Sequence, residues 1–398
     1  MTAWLSVIGV GDNGRDSLLP ATLSVLDDAE VVIGAKRHLA QMELQAEVIT
    51  WPSPFDHMLD TLTLLRGKRV VVLATGDPLW HSVGEKLATH FEAEEIVFFP
   101  QTSAFQLAAA RLGWSISDVH FLTTHGRPIE NIIPFVQPNN RLIILTNDGE
   151  TPNQITALLK DRGFGSSMLT CFAHMGGENE SQHSATAASW SKDMPDFNTL
   201  TVEVVADDDA NIVPHTVGLS DAHFTHDGRM TKQVVRAASL AKLMPAQNAL
   251  LWDIGAGCGS ISVEWMRAAK GAQAIAIEPL TERRAMIAQN AMSLGAPQVE
   301  IVDGTAPECL DDLEAPDAVF IGGGLSQAVI EKSMNALKPF GRMVANAVTL
   351  ESEAILLKAF AEHGGELVRI DVATADPVGK FTGWRPIMPV TQWSLIKR

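Results

Sequence analysis

A chain of 398 residues exceeds the roughly 250–300 at which one core stops growing, so two domains are expected. Hydrophobic residues make up 46% of the chain and charged residues 19%, a balance that excludes intrinsic disorder. The net charge of −17, without any lysine- or arginine-rich run, argues against nucleic-acid and anionic-membrane partners, while a local basic pocket for a small anion stays open.

The N-terminus, "MTAWLSVIGVGDNG", reads as a strand entering a turn rather than as a leader. No stretch approaches the roughly 18 apolar residues of a membrane span. Cys171, Cys258 and Cys309 lie far apart and form no C-x-x-C pair, so no metal site is expected and a reducing cytoplasm suits them.

In the first half, "WLSVIGVG", "EVVIGA", "RVVVLATG", "EIVFFPQ" and "DVHFLTTHG" read as strands, followed after about residue 140 by "RLIILTND", "SSMLTCFAHMG" and "FNTLTVEVVA". Two small α/β lobes fit this pattern better than one continuous sheet. "VLATGDPLWHSVG" forces a sharp turn at Gly76-Asp77-Pro78, because proline disfavours helix at the residue before it. In "PQTSAFQLAAARLGW", Thr102 and Ser103 are helix N-cap candidates. "THGRP" ends another strand, where α/β ligands bind, with His125 and Arg127 as its basic groups.

Taken in order, G-x-G, "TGDP" and "P-x-T-S-A-F" resemble the tetrapyrrole methylases, or class III methyltransferases, over about residues 4 to 206. The resemblance implies S-adenosylmethionine folded in a cleft between two lobes, with contacts at Gly76, Asp77, Leu79, Thr102 and Ser103. For Thr102 and Ser103 a plain cap remains the alternative. It also implies that His125 and Arg127 meet substrate carboxylates, the arginine by a bidentate fork, against the alternative of a solvated turn. One departure is the first turn, with Gly9, Gly11, Asp12 and Gly14 where many relatives have G-x-G-P-G; members that methylate C5 of a precorrin commonly vary there.

"DDDANIVPHTVGLSD" carries an acidic triplet, a proline and no periodicity, and 207–217 is the expected linker between domains 1–206 and 218–398. Beyond it, "ALLWDIG", "AQAIAIE", "QVEIVDG", "DAVFIGGG" and "RMVANAV" alternate with helical patterns, which predicts a parallel sheet covered on both faces. "GELVRIDVA" and "VTQWSLIKR" add a terminal antiparallel pair joined by a loop, "TADPVGKFTGWRPIMP", giving seven strands.

"DIGAGCGSISVEW" lets backbone approach a ligand closely through Gly255, Gly257 and Gly259, and should aim free N–H groups at it. Its spacing departs from the dinucleotide fingerprint G-x-G-x-x-G, which counts against a pyrophosphate. Glu278, ending the next strand, is placed for ribose hydroxyls, and "VDGTAPECL" ends a third strand. These features resemble the class I S-adenosylmethionine-dependent methyltransferases. "GRMTKQVVR", "DGTAPE" and "FIGGG" narrow the likeness to the subclass that methylates a precorrin. The resemblance carries cofactor contacts to Thr231, Gly255, Ala256, Gly257, Cys258, Gly259, Glu278, Gly304 and Thr305. It leaves Gly322, Gly323 and Gly324 making room for a large flat substrate, or serving as a flexible turn.

The predicted fold class is therefore α/β: an N-terminal two-lobed tetrapyrrole methylase fold plus a C-terminal seven-stranded Rossmann-like class I methyltransferase fold. The whole chain resembles fused, decarboxylating precorrin methyltransferases of aerobic vitamin B12 biosynthesis. That family implies C5 methylation by the first domain, and C15 methylation with loss of carbon dioxide from the ring C acetate by the second. One S-adenosylmethionine per domain, no metal, a tetrapyrrole substrate and a cytoplasmic homo-oligomer follow from it. Substrate carboxylates call for cations, with Arg229, Lys232, Arg236, Lys380 and Arg385 as candidates that ordinary surface charge explains equally well. A cobalt-containing precorrin, a nicotinamide-dependent oxidoreductase and a regulatory tetrapyrrole-binding module are the competing readings.

Overall fold

The protein is described by a computed structural model covering residues 3–52 and 57–398. Its contacts divide the chain into two units. The first holds residues up to Arg127 together with Gln137–Asn211; the second holds Pro128–Val136 and Ile212–Arg398.

Two sheets build the first unit. Strands β1 (Leu5–Val10), β2 (Val31–Gly34), β3 (Glu47–Thr50), β4 (Val70–Thr75) and β5 (Ile96–Phe99) form an all-parallel sheet in the order β3-β2-β4-β1-β5. Its strands alternate cores. Leu5, Val7, Val70 and Val72 point into one apolar cluster, and Ile8, Val10, Val71 and Leu73 into another, so both faces are covered. Strands β6 (His120–Thr123), β7 (Arg141–Leu145), β8 (Met168–Ala173), β9 (Ser181–Thr186) and β10 (Asn198–Glu203) form a mixed sheet in the order β6-β7-β10-β8-β9. "DVHFLTTHG" thus belongs to the second sheet, pairing in parallel with β7. The sequence reading passes over β3 and β9. Both are edge strands with no buried residue, so neither carries an apolar alternation.

In the second unit, β11 (Leu250–Ile254), β12 (Gln273–Ile277), β13 (Glu300–Val302), β14 (Ala318–Ile321) and β15 (Arg342–Ala347) are parallel. Next come β16 (Glu366–Ile370), β17 (Ala373–Val378), β18 (Phe381–Pro386) and β19 (Val390–Ile396). The seven-stranded order is β13-β12-β11-β14-β15-β19-β16, with β19 antiparallel to both of its neighbours. Along β11, Leu250, Trp252 and Ile254 enter one core, while Leu251 enters the other beside Trp265 and Phe320. The stretch expected as a loop between the terminal strands is itself a hairpin, β17 against β18. It pairs only with itself and is largely exposed on both faces, so its sequence shows no buried stripe.

The chain passes from one unit to the other between Asn211 and Ile212. Before that point, the Asp207 carboxylate accepts from Gly165 N–H and Ser166 N–H of the first unit. After it, Val213 and Leu219 are buried in a core of the second. The excursion Pro128–Val136, which no change of composition marks, contributes a 3-10 run, Ile129–Phe135, that packs on the helix Thr281–Leu294. No helix among the described residues is long and apolar enough to cross a membrane.

Candidate functional site

In the second unit, the carboxyl ends of β11, β12 and β14 meet at one edge. Gly255, Gly257 and Gly259 all have positive φ, at 70°, 61° and 77°, and the three differ in why a side chain is excluded. A Cβ on Gly255 would lie 2.6 Å from Gly323 Cα, and one on Gly259 would lie 2.9 Å from Ile287. A Cβ on Gly257 would meet nothing closer than Arg229 O at 3.7 Å. The outer two glycines therefore serve packing, and the middle one borders open space beside the segment that carries Thr231.

The expectation of free N–H groups needs correction. Gly255 N–H and Ala256 N–H both donate to Ile277 O, Gly257 N–H to Glu278 Oε2 at 2.9 Å, and Gly259 N–H to Ala256 O. The first three donors hold the turn against the neighbouring strand and the fourth closes the turn on itself, so what the three glycines offer a ligand is close approach. The Cys258 side chain is buried in the core with Val263 and Leu294, and burial pushes its thiol pKa up. Glu278 is buried, with Oε1 accepting from Leu280 N–H at 3.1 Å. Each of its oxygens keeps lone-pair capacity for a second donor.

Asp253 fills a place that glycine cannot. Gly259 precedes the helix Ser260–Ala268 without a capping side chain, and Asp253 Oδ2 accepts instead from Ser262 N–H at 3.1 Å and from Ser262 Oγ at 2.6 Å. Its Oδ1 is buried and unpartnered, and burial raises its pKa from 3.8 to about 6.

Arg236 is not placed to meet a substrate. It is fully buried, and Nε donates to Glu264 Oε1 at 2.5 Å. Nη1 donates to Asp221 Oδ1 at 2.9 Å and to Thr231 O at 2.6 Å, and Nη2 to Leu219 O. The side chain is consumed in tying the Thr231 segment to the helix Ser260–Ala268. By contrast Arg229 is exposed, and Lys232 is half-exposed with Nζ 4.0 Å from Asp221.

Gly322 and Gly323 donate to Ile254 O, and their missing side chains make way for Phe320 and for the Gly255 turn. Gly324, at φ 69°, borders open space. Gly304 has no room beside Cys309, and Thr305 O accepts from Cys309 N–H, so both lie in a tight turn after β13, next to the end of β12. Lys380 and Arg385 sit on the exposed hairpin, Arg385 Nε lying 3.6 Å from Asp376. That hairpin leaves the carboxyl end of β16, which runs parallel to β15, so it springs from the edge that carries the glycine turn.

In the first unit three turns converge. A Cβ on Gly9 would lie 2.1 Å from Gly76 O, and one on Gly76, whose φ is 60°, 3.2 Å from Ser103 Cα. Beside them opens a shallow, largely apolar cleft. Val10, Gly11, Asp12, Thr75, Gly76 and Thr102 line it from the first sheet's side, and Phe172, His174, Phe197 and Asn198 from the second's. Of the residues expected to contact cofactor in this unit, Gly76 and Thr102 line the cleft. The Ser103 hydroxyl is spent in a capping box with Gln106, Asp77 Oδ1 accepts from Leu79 N–H to shape its own turn, and Leu79 is exposed. His125 and Arg127 are exposed beyond β6. The registers put the ends of β6, β7 and β8 and the start of β10 on one edge, so His125 and Arg127 share it with His174.

Sequence reading did not single out Asp12 and His174 as a pair lining the cleft; the pairing of two segments so distant in the chain leaves no local signal.

Residues 5–189 match the family model for tetrapyrrole (corrin/porphyrin) methylases, and residues 222–397 the one for a precorrin methyltransferase domain. A Sinorhizobium precorrin-6Y C(5,15)-methyltransferase [decarboxylating] is 44% identical, covering 100% of this chain and 97% of its own. Two separate Salmonella typhimurium proteins also match. A cobalt-precorrin-7 C(5)-methyltransferase is 34% identical over 45% of this chain and 89% of its own length. A cobalt-precorrin-6B C(15)-methyltransferase (decarboxylating) is 31% identical over 40% of this chain and 85% of its own. With an alignment that runs the length of both proteins and two methyltransferase domains in tandem, the chain belongs to the family of decarboxylating precorrin-6Y C5,15-methyltransferases, enzymes that use S-adenosylmethionine.

Proposed function

We propose that this protein adds methyl groups to C5 and C15 of one precorrin and removes carbon dioxide from its ring C acetate, as a step of cobalamin biosynthesis. Residues 1–206 carry the C5 transfer, and 218–398 the C15 transfer and decarboxylation, with 207–217 between them. One S-adenosylmethionine serves each half, no metal takes part, and the enzyme works as a cytoplasmic homo-oligomer.

The observation that supports this best is that each unit has its own glycine-built cradle at a sheet edge. In the second, Gly257 borders open space near Arg229 O, and its N–H donates to the buried Glu278 carboxylate, which puts an acid where a ribose would need one. In the first, the cleft is lined by Gly76 and Thr102, two of the residues to which the resemblance carries cofactor contacts. When bound, S-adenosylmethionine supplies an electrophilic methyl group on a sulfonium.

What the chain supplies is placement and exclusion of water, because a reduced tetrapyrrole already offers electron-rich meso carbons. Arg229 and Lys232 in one unit, and His125 and Arg127 in the other, are solvent-accessible cations that can meet its carboxylates. Lys380 and Arg385 add two more at the hairpin. Decarboxylation leaves an electron pair that the conjugated macrocycle takes up until a proton arrives.

The names of the Salmonella relatives favour a second reading, in which the substrate already holds cobalt. Incubation with each precorrin, read by mass, separates the two: the accepted substrate gains two methyl groups and loses one carbon dioxide. Gly76→Val should then remove only the C5 methyl, and Gly257→Val only the C15 methyl. Loss of both methyls in either variant, with the other unit still folded, overturns the division of labour. Calorimetry should count two S-adenosylhomocysteine sites per chain.

A further inference from the structure

The cleft of the first unit contains a pair of groups that the reading above does not use. His174 Nδ1 lies 3.3 Å from Asp12 Oδ2, although 162 positions separate them in the sequence and they come from different sheets. Both line the cleft with Gly76 and Thr102. Three further features hold the pair together. His174 adopts φ 53°, a left-handed backbone conformation that is uncommon and mildly costly outside glycine, and its N–H donates to Phe197 O. Its ring packs on Phe197 at 5.7 Å, and the Arg37 guanidinium stacks on that same phenyl ring at 4.0 Å. Gly177 completes the enclosure, since a Cβ there would lie 2.3 Å from Asp12 Oδ2. A histidine held in strained backbone, with a carboxylate at one nitrogen, is the arrangement that fixes a tautomer: Nδ1 carries the hydrogen toward Asp12, and Nε2 keeps its lone pair.

Methylation of a meso carbon needs such a group. The carbon starts with one hydrogen and spends an electron pair on the new carbon–carbon bond, while the pair of the broken carbon–sulfur bond stays with sulfur. The macrocycle is then a cation, and the methylated carbon still holds its hydrogen. Conjugation returns only when that hydrogen leaves as a proton and its bonding pair re-enters the ring. We propose that His174, oriented by Asp12, is the base that takes this proton in the C5 transfer. Nε2 accepts the proton, the resulting imidazolium faces the Asp12 carboxylate, and solvent later receives the proton. His174 is the catalytic residue and Asp12 the positioning one.

Asp12 meets the imidazole from the first sheet's side; Arg37, near Asp12, stacks on Phe197 and donates to Thr75 Oγ1, with His38 behind Thr75; Glu180, paired with Arg111, lies on the His174 side. Arg37 and Glu180 are of opposite sign, and the carboxylate in direct contact is Asp12.

The inference rests on the C5 assignment made above, and the experiment keeps the two apart. His174→Asn suits the test, because asparagine tolerates the left-handed backbone yet is no base. In the full-length protein with precorrin and S-adenosylmethionine, C5 methylation should fall by about 10²-fold or more. S-adenosylhomocysteine affinity should stay near that of the parent, and C15 methylation reports that the chain is folded. A deuterium at C5 should slow the variant more than the parent. Asp12→Asn should move the rise of the C5 rate with pH to lower pH, because the imidazolium loses its counter-charge; a purely structural carboxylate would change the rate without moving that rise. If His174→Asn methylates C5 at the parent's rate with the same pH dependence, the base is elsewhere and the proposal falls. If Gly76→Val leaves C5 methylation intact, the C5 assignment itself fails.

Discussion

Arg236→Met tests whether the segment that carries Thr231 is held by charge. In the parent, one buried guanidinium reaches Glu264, Asp221 and the carbonyls of Leu219 and Thr231. The Glu264 carboxylate, itself buried, also accepts from Gly218 N–H and Leu219 N–H. Methionine keeps much of the volume and the packing on Phe224, where the guanidinium lies 4.8 Å from the ring. It leaves Glu264 charged in the interior with only two backbone donors, and removing one partner of such a pair costs about 3–5 kcal/mol. Because the lost bonds include the one to Thr231 O, the second unit should also bind S-adenosylhomocysteine more weakly. The double variant Arg236→Met/Glu264→Met, which buries no lone charge, should recover about 1–4 kcal/mol of that loss. Hydrogen exchange across residues 218–232 and the helix Ser260–Ala268 reads the local stability without assuming that the whole chain unfolds in one step. Calorimetry reads the cofactor site. Should the single variant match the parent in exchange, or the double variant be no better than the single, the charge is not what holds the segment.

Two other changes separate packing from ligand space. Gly255→Ala should cost about 1–2 kcal/mol for the left-handed backbone and about 1–3 more for the contact with Gly323, lowering both the melting temperature and cofactor affinity. Gly257→Ala carries only the backbone cost, so S-adenosylhomocysteine titration should show a loss of affinity out of proportion to the change in melting. Equal behaviour of the two variants would contradict the geometry. Asp253 gives a pH signature. Its folded pKa of about 6 lies above the unfolded 3.8, so the native state holds the proton more tightly and stability falls as pH rises from about 4 to about 6. Asp253→Asn should remove that fall, which amounts to about 3 kcal/mol at 1.36 kcal/mol per pKa unit. Denaturation at pH 4 and pH 7 checks it, and an unchanged difference between the two would show that this carboxyl does not titrate in that window.

Much of the fold was legible because the buried strands advertise themselves. Continuous apolar runs such as "VVVLA" and "AVFI" belong to strands covered on both faces, and the glycine turns after them follow from close backbone contact that no side chain survives. The edge strands β3 and β9 and the hairpin β17–β18 were not legible, since exposed backbone pairing requires no particular side chain. Local spacing is enough to single out Gly76, Gly257, Thr102 and Glu278 as candidates at the strand ends. The fate of Arg236 could not be read in this way, because a lysine or arginine in a helix looks the same in sequence whether it faces solvent or a buried glutamate 28 positions away.

The sequence by itself determined the strand–helix alternation, the two glycine-built turns and the tandem order of two methyltransferase domains, because each is written in contacts between near neighbours or in spacing along one strand. Only the tertiary structure decided which donors the turns keep for themselves, that Asp253 caps a helix whose own start is a glycine, and that Asp12 meets His174. Those outcomes depend on charges and hydrogen bonds between segments far apart in the chain, and only the folded backbone brings the partners within reach of one another.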